Sequence, residues 1–196
     1  MSDQLALDGF GAAPQPTDGL YFALFPDAET AAAMARLTQT VCAAQGLSGW
    51  PVKAARLHLT LHELGEHVGV PEPLVRAALA AAGQVQASGF ELSLDRLLSF
   101  RGGHGKRTLV LRGAGDDLAL HHFHGELGAV MARTPGLSRW AGKPFTPHVT
   151  LHYGRQAVDE QAISPMRWTA AEFVLIHSTL DRGGHNILGR WPLVPP

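Results

Sequence analysis

Two five-residue stretches repeat one order of side chains: HLTLH at positions 58–62 and HVTLH at positions 148–152. On an extended strand alternate residues point to the same side, about 6.5 Å apart. Each stretch therefore presents an imidazole beside a hydroxyl. Two such units facing one another surround a point with two imidazoles and two hydroxyls. An imidazole titrates near pH ~6.5, so one ring can take a proton while the other, already protonated, gives one. Threonine hydroxyls can donate to the non-bridging oxygens of a phosphate held between them. That set suits in-line attack on a phosphodiester, with one histidine activating the nucleophile and the other protonating the leaving oxygen. The candidate catalytic residues are His58 and His148, with Thr60 and Thr150 on the phosphate. The chemistry needs no metal and no cofactor.

A single such unit is the ordinary mark of an amphipathic strand with a surface histidine. Duplication changes the weighing, because both copies place an apolar residue between His and Thr, a leucine after Thr and a glycine downstream, Gly65 and Gly154. Alternation puts His62 and His152 on the same faces as the catalytic pair. They are expected to line the outer cleft, with Tyr153 and Arg101 as further candidate cleft-lining residues. Four converging histidines could instead hold zinc, although no Asp, Glu or Cys completes the alternating face. The HHFH run (His121, His122, His124) falls on a helical pattern, where surface or partial burial is its ordinary fate. RGGHGKR (101–107) could grip a phosphate through Gly-rich backbone and the charges of Arg101, Lys106 and Arg107, or be a solvated hairpin tip. Trp50, Phe100, Trp140 and Phe145 are candidates for base stacking, with core packing the commoner role of aromatics.

The elements that must carry these groups follow from the pattern. LYFALFP (20–26) is a short apolar run closed by proline, read as a buried strand. Residues 27–45 turn helical, with Asp27 as cap and Gly46 as stop. ARLHLTLHELG alternates as a strand with Leu57, Leu59 and Leu61 inward. PEPLVRAALAAAG is a second helix. FELSLDRLLSF and RTLVLRG are strands joined by the glycine-rich loop. The order then repeats: a helix capped by Asp116 or Asp117, the strand FTPHVTLHYG, a strand RWTAAEFVLIHSTL and a closing strand NILGRWPL. The expected fold is α+β, two pseudo-symmetric lobes, each an antiparallel sheet backed by helices, with the cleft between them. Residues 1–18, rich in Gly, Pro and Asp, are expected to form a loose N-terminal arm that docks Leu5, Leu7 and Phe10. Residues 19–196 form one bilobal domain.

Composition bounds the function. Of 196 residues, 45% are apolar and 17% charged, and the net charge is -1, so any polyanion site must be local. Cys42 is the one cysteine, which excludes an internal disulfide framework and fits a cytoplasmic setting. No run reaches a membrane span, and the N-terminus lacks the charge and apolar order of a secretory signal. A monomer is expected.

LHLTLHELG and FTPHVTLHYG resemble the paired motifs of the two-histidine phosphoesterases, most closely the RNA 2',3'-cyclic phosphodiesterase, 2'-5' RNA ligase or LigT-like family. LYFALFPD, FELSLDRLLSF and FVLIHSTLDRGGHNILGRWPL resemble that family's first strand, the strand before its loop and its closing segment, so the likeness spans nearly the whole chain. The resemblance implies that His58 donates a proton to the leaving 3'-oxygen and that His148 activates water. Three positions depart from the family pattern. Glu63 stands where an aromatic is usual, Tyr153 where an arginine often lies five residues after the second His, and His185 where a tyrosine is usual. Arg101, Arg139, Lys143 and Arg155 are candidates to replace the arginine. The resemblance implies a cyclic phosphodiesterase acting on RNA ends, giving a 2'-phosphate, with reverse 2'-5' ligation open to it. Its rivals are an esterase for a small cyclic nucleotide or ADP-ribose cyclic phosphate, a non-catalytic RNA-end-binding module, and a four-histidine metallohydrolase.

Overall fold

The computed structural model describes residues 14–115, 117–180 and 184–195; Leu5, Leu7, Phe10 and Asp116 lie outside them. Strand β1 (Asp18–Leu24) leads into helix α1 (Ala28–Gln45). The Asp27 carboxylate accepts from the Thr30 N–H at one end, and Gly46, at φ 63°, closes the other in the left-handed conformation. Strand β2 (Gly49–Pro51) and a single 3-10 turn (Ala54–Arg56) precede β3 (Leu59–His67). Then come α2 (Glu72–Ala82), β4 (Phe90–Arg101), β5 (Arg107–Arg112), α3 (Leu118–Arg133) and α4 (Ser138–Ala141). Of the two candidate caps for α3, Asp117 accepts from the Leu120 N–H. β6 (Val149–Gly154), β7 (Gln161–Ala170), β8 (Glu172–Thr179) and β9 (Gly184–Pro192) complete the chain.

The strands lie in the order β7-β4-β5-β6-β3-β1-β8-β9, with β2 beside β6. All of their pairings are antiparallel. The sheet is two halves, and they meet at the β3–β6 seam through the pair Leu59 and Val149. Outward from the seam the strands run β3, β1, β8, β9 on one side and β6, β5, β4, β7 on the other. This is the expected pseudo-symmetry. The helices bridge the halves. α1 follows β1 but packs against β6 and β7, where the Thr30 hydroxyl donates to the Arg167 carbonyl. α3 follows β5 and packs against both β4 of its own half and β3 of the other. There Phe123 meets Phe173, which also packs on Phe22 and Trp191. This bridging ties both lobes into one apolar core. Among the described residues no helix is long and apolar enough to cross a membrane.

One expected strand divides. RWTAAEFVLIHSTL breaks at Ala171 into the end of β7, paired with β4, and β8, paired with β1. The chain changes lobe there. In β8, Phe173 and Leu175 enter the main core while Val174 and Ile176 pack with Ala23 on the opposite face. A strand buried on both faces carries no alternation to mark its start.

The repeated motif does not keep its alternation. On β3, Thr60 pairs with Ala23 and His62 with Phe22, so Leu61 is an extra residue. On β6, Thr150 pairs with Val110 and His152 with Leu109, so Leu151 is extra. Each HxTLH therefore carries a β-bulge at its leucine, which resets the alternation. His62 and His152 turn away from the cleft to the helix-covered face, 2% and 3% exposed. The bulge presents Glu63 and Tyr153 to the cleft instead. Glycine follows for steric reasons. At Gly65, with φ 93°, a Cβ would lie 2.5 Å from the Trp140 ring; at Gly154 it would lie 2.8 Å from the His152 ring.

The buried rings have partners. His62 Nε2 donates to the His124 carbonyl at 3.0 Å, and its ring stacks on His124 at 4.0 Å. His124 in turn stacks on Phe145 at 3.9 Å. Burial holds His62 and His152 below the usual imidazole range. Burial, then the neighbouring His62 and His121, push His124 down to about 4. A histidine with a lowered folded pKa binds fewer protons than in the unfolded chain. Its contribution to stability is complete above pH ~6.5 and is lost as pH falls toward the folded value. The melting temperature is expected to drop as pH falls from about 6.5 to about 4.5, and His124→Phe, which keeps the stack and the backbone carbonyl, should drop less over that interval. Parallel curves for the two proteins would show that this ring does not set the acid limb.

Candidate active site

His58 and His148 stand one residue before β3 and β6, and both line the same cleft with Thr60 and Thr150. The cleft encloses about 530 Å³, a volume that suits a nucleotide-sized ligand. Extending the antiparallel register of Leu59 and Val149 by one residue each way places His58 opposite Thr150 and Thr60 opposite His148. On that register each imidazole lies across the seam from the threonine of the other motif.

Both rings are anchored alike. Nδ1 of His58 donates to the Arg56 carbonyl at 2.7 Å, and Nδ1 of His148 donates to the Thr146 carbonyl at 2.7 Å. A carbonyl only accepts, so each Nδ1 carries a hydrogen and each Nε2 is left for proton transfer. The surroundings then differ. Tyr21 stacks on His58 at 5.0 Å and Phe25 meets it edge-on at 6.1 Å, whereas His148 has Phe100 edge-on at 5.0 Å. Burial, followed by the charges of Arg56 and His148, holds His58 below the usual imidazole range despite its bond to the Arg56 carbonyl.

A second polar group closes the His58 side. The Arg56 guanidinium donates through Nη2 to His185 Nε2 at 2.9 Å, and the Tyr21 hydroxyl lies 3.1 Å from the same nitrogen. His185 packs edge-on to His58 at 5.4 Å. Burial and the charge of Arg56 push His185 down to about 4, so it is a neutral acceptor. Burial also raises the Tyr21 phenol well above its usual range.

The other candidates divide. Tyr153 lines the cleft, paired across strands with Trp50, which lines it too. These side chains are 54% and 77% exposed, an open aromatic wall. Arg101 does not line the cleft. It pairs with Arg107 at the hairpin tip, and alternation sends it to the face opposite Phe100. The rest of RGGHGKR is likewise outside the cleft lining. Arg139 and Lys143 sit over the Trp140 ring instead, and Arg155 is not among the lining residues. With His62 and His152 turned away, the four-histidine cluster does not form; among the described residues no three His, Cys, Asp or Glu side chains gather as a metal-binding set.

Sequence reasoning missed Arg56, Lys53 and Tyr21 as cleft-lining groups. Arg56 was within reach, being two residues before His58. Tyr21 was hidden in an apolar run that read as core throughout.

The sequence profile of the 2'-5' RNA ligase superfamily matches residues 26–182. The structure is similar to that of Escherichia coli LigT in its apo form, with 27% sequence identity and a TM-score of 0.68 over 92% of this chain and 99% of that one. Escherichia coli LigT complexed with 3'-AMP aligns over the same shares at 28% identity and a TM-score of 0.65. A Thermus thermophilus protein shares the fold, with a TM-score of 0.67 at 24% identity over 89% of this chain and 97% of that one. No curated protein matches the sequence.

The asymmetry around the two rings is directly measurable. In an NMR titration of the free protein, His58 is expected to titrate below the ordinary imidazole value of about 6.5. Inorganic phosphate should move its midpoint upward, because an anion in the cleft favours the protonated ring. A free-protein midpoint above that ordinary value would contradict this account of its surroundings.

Proposed function

Because this chain belongs to the 2'-5' RNA ligase superfamily, we propose that it hydrolyses the 2',3'-cyclic phosphate at RNA ends to a 2'-phosphate, with His58 and His148 as acid and base. One observation carries the reading. Two histidines with identical Nδ1 anchors present free Nε2 atoms to one cleft, each opposite a threonine hydroxyl. The cyclic phosphate sits between the lobes, its non-bridging oxygens accepting from Thr60 and Thr150. His148 Nε2 takes a proton from water as the water oxygen bonds to phosphorus. The bond from phosphorus to the 3'-oxygen breaks on the opposite side, and His58 gives that oxygen its proton. The products are a 2'-phosphomonoester and a 3'-hydroxyl. His58 is disfavoured as a cation in the free cleft; the bound anion reverses that preference, so substrate binding itself arms the acid. Run in the same direction with a 5'-hydroxyl in place of water, these steps join a cyclic end through a 2'-5' bond.

The Trp50 and Tyr153 wall supports a nucleobase beside the phosphate, since stacking on an aromatic contributes roughly 1–3 kcal/mol per base. That Escherichia coli LigT forms a complex with 3'-AMP supports a nucleotide as the class of ligand. A second reading, a small cyclic nucleotide or ADP-ribose cyclic phosphate, is favoured by the cleft's charges. Glu63 and Glu66 line it along with Lys53 and Arg56, which is no continuous basic track for a long strand.

His58→Ala and His148→Ala are each expected to lose about 10²–10⁴-fold in turnover of a cyclic-phosphate dinucleotide while remaining folded. Full turnover in either variant would remove that residue from the mechanism, and an inert wild type that still binds the RNA end would make the protein a binding module. Excess EDTA should leave the rate unchanged; loss restored by zinc or manganese would require a different chemistry. Cyclic-phosphate substrates of graded length separate the two readings, a flat response beyond one nucleotide favouring the small ligand.

A further inference from the structure

Resting on that reading of the cleft, we propose that Arg56 is the phosphate-binding cation of this protein, aimed by His185 and Tyr21 at an oxyanion held between the two histidines. Among the described residues the arginine and lysine side chains that line the cleft are Lys53 and Arg56, and Lys53 is exposed while Arg56 is half-buried. A half-buried guanidinium normally has a carboxylate partner. None of the described carboxylates lies within ion-pair distance of Arg56. Of its five N–H groups, one is used on His185, and its buried Nε has no partner. A planar cation with unused donors, beside two imidazoles and two hydroxyls, is matched to an anion that accepts two parallel hydrogen bonds.

The surroundings explain how the side chain is held. His185 accepts from Nη2 because it stays neutral. A positive ring there would repel the guanidinium, and a carboxylate there would neutralise it. A neutral acceptor orients the cation and leaves its charge available. The backbone of the same residue fixes the hydrogen on His58 Nδ1 through its carbonyl. Arg56 thus reaches the reaction twice, and a side-chain substitution removes one contribution and spares the other. Across the cleft, the place where the family often carries arginine is Tyr153, so the positive charge sits on the opposite lobe in this chain. As the bond to the 3'-oxygen breaks, the phosphate gains negative charge, and a fixed cation stabilises that state more than the ground state.

The test measures phosphate affinity and turnover separately. Inorganic phosphate is titrated calorimetrically into wild type, Arg56→Met and Arg56→Lys, and the same proteins are assayed on a cyclic-phosphate dinucleotide. Arg56→Met is expected to weaken phosphate binding at least tenfold and to lower kcat/KM by about 10²–10³-fold, with Arg56→Lys between it and wild type. Added guanidinium ion should restore part of the activity of Arg56→Ala, an effect that mere support of His185 would not produce. If Arg56→Met keeps wild-type phosphate affinity, or guanidinium leaves Arg56→Ala unchanged, Arg56 is a scaffold for His185 and the proposal fails. A wild type that binds phosphate through Arg56 but turns over no cyclic phosphate would overturn the proposed reaction while leaving the cation assignment standing.

Discussion

The pairing of Leu59 with Val149 holds the rest of the site in place. These two buried residues join the half-sheets at the point where both motif strands begin. Because the strands run antiparallel from there, the residues just before and just after the pair lie face to face, each His opposite a Thr. A one-residue slip would turn every cleft group into the core and every core leucine into the cleft. Burial of Leu57, Leu59 and Leu61 on one strand and of Val149 and Leu151 on the other forbids that slip. The arrangement of the four cleft groups is therefore secured by apolar residues that do not line the cleft.

The bulges at Leu61 and Leu151 are the second requirement. Each lets a strand serve the cleft for two residues and then commit its next ring to the helix-covered face. His62 lies under α3, stacked on His124, and His152 lies against Gly154. His62 thus ties β3 to the helix layer behind it, while His152 packs within the sheet against Gly49 and Gly154. The helices have the same effect on a larger scale: α1 packs on the half-sheet opposite the strand it follows and α3 packs on both halves, so the lobes share one apolar core.

Near-perfect symmetry of backbone contrasts with asymmetry of surroundings. Both imidazoles hang from the carbonyl two residues earlier, yet His58 is packed by Tyr21, Phe25 and His185 while Phe100 flanks His148. Two equivalent rings cannot divide acid and base roles by themselves. Burial and the adjacent guanidinium make them unequal, and the difference comes from residues outside the repeated motif.

The repeat, the leucine faces, the caps at Asp27 and Asp117 and the stop at Gly46 could all be read from the sequence, because each is a local rule: period, capping oxygen, left-handed glycine. His58, Thr60, His148 and Thr150 could be named for the same reason, since like residues at like spacing must face alike. The fate of His62 and His152 could not. A bulge is a mismatch between two strands, and a single strand's sequence carries only its own period. Arg56, Tyr21 and His185 also came together only in space, drawn from the turn before β3, the strand β1 and the closing hairpin, because a cation's neighbours are set by which strands lie side by side. Local pattern in the chain thus names the paired histidines and threonines that share one cleft, while the packing of strands sets which rings are buried behind it and which charge stands beside it.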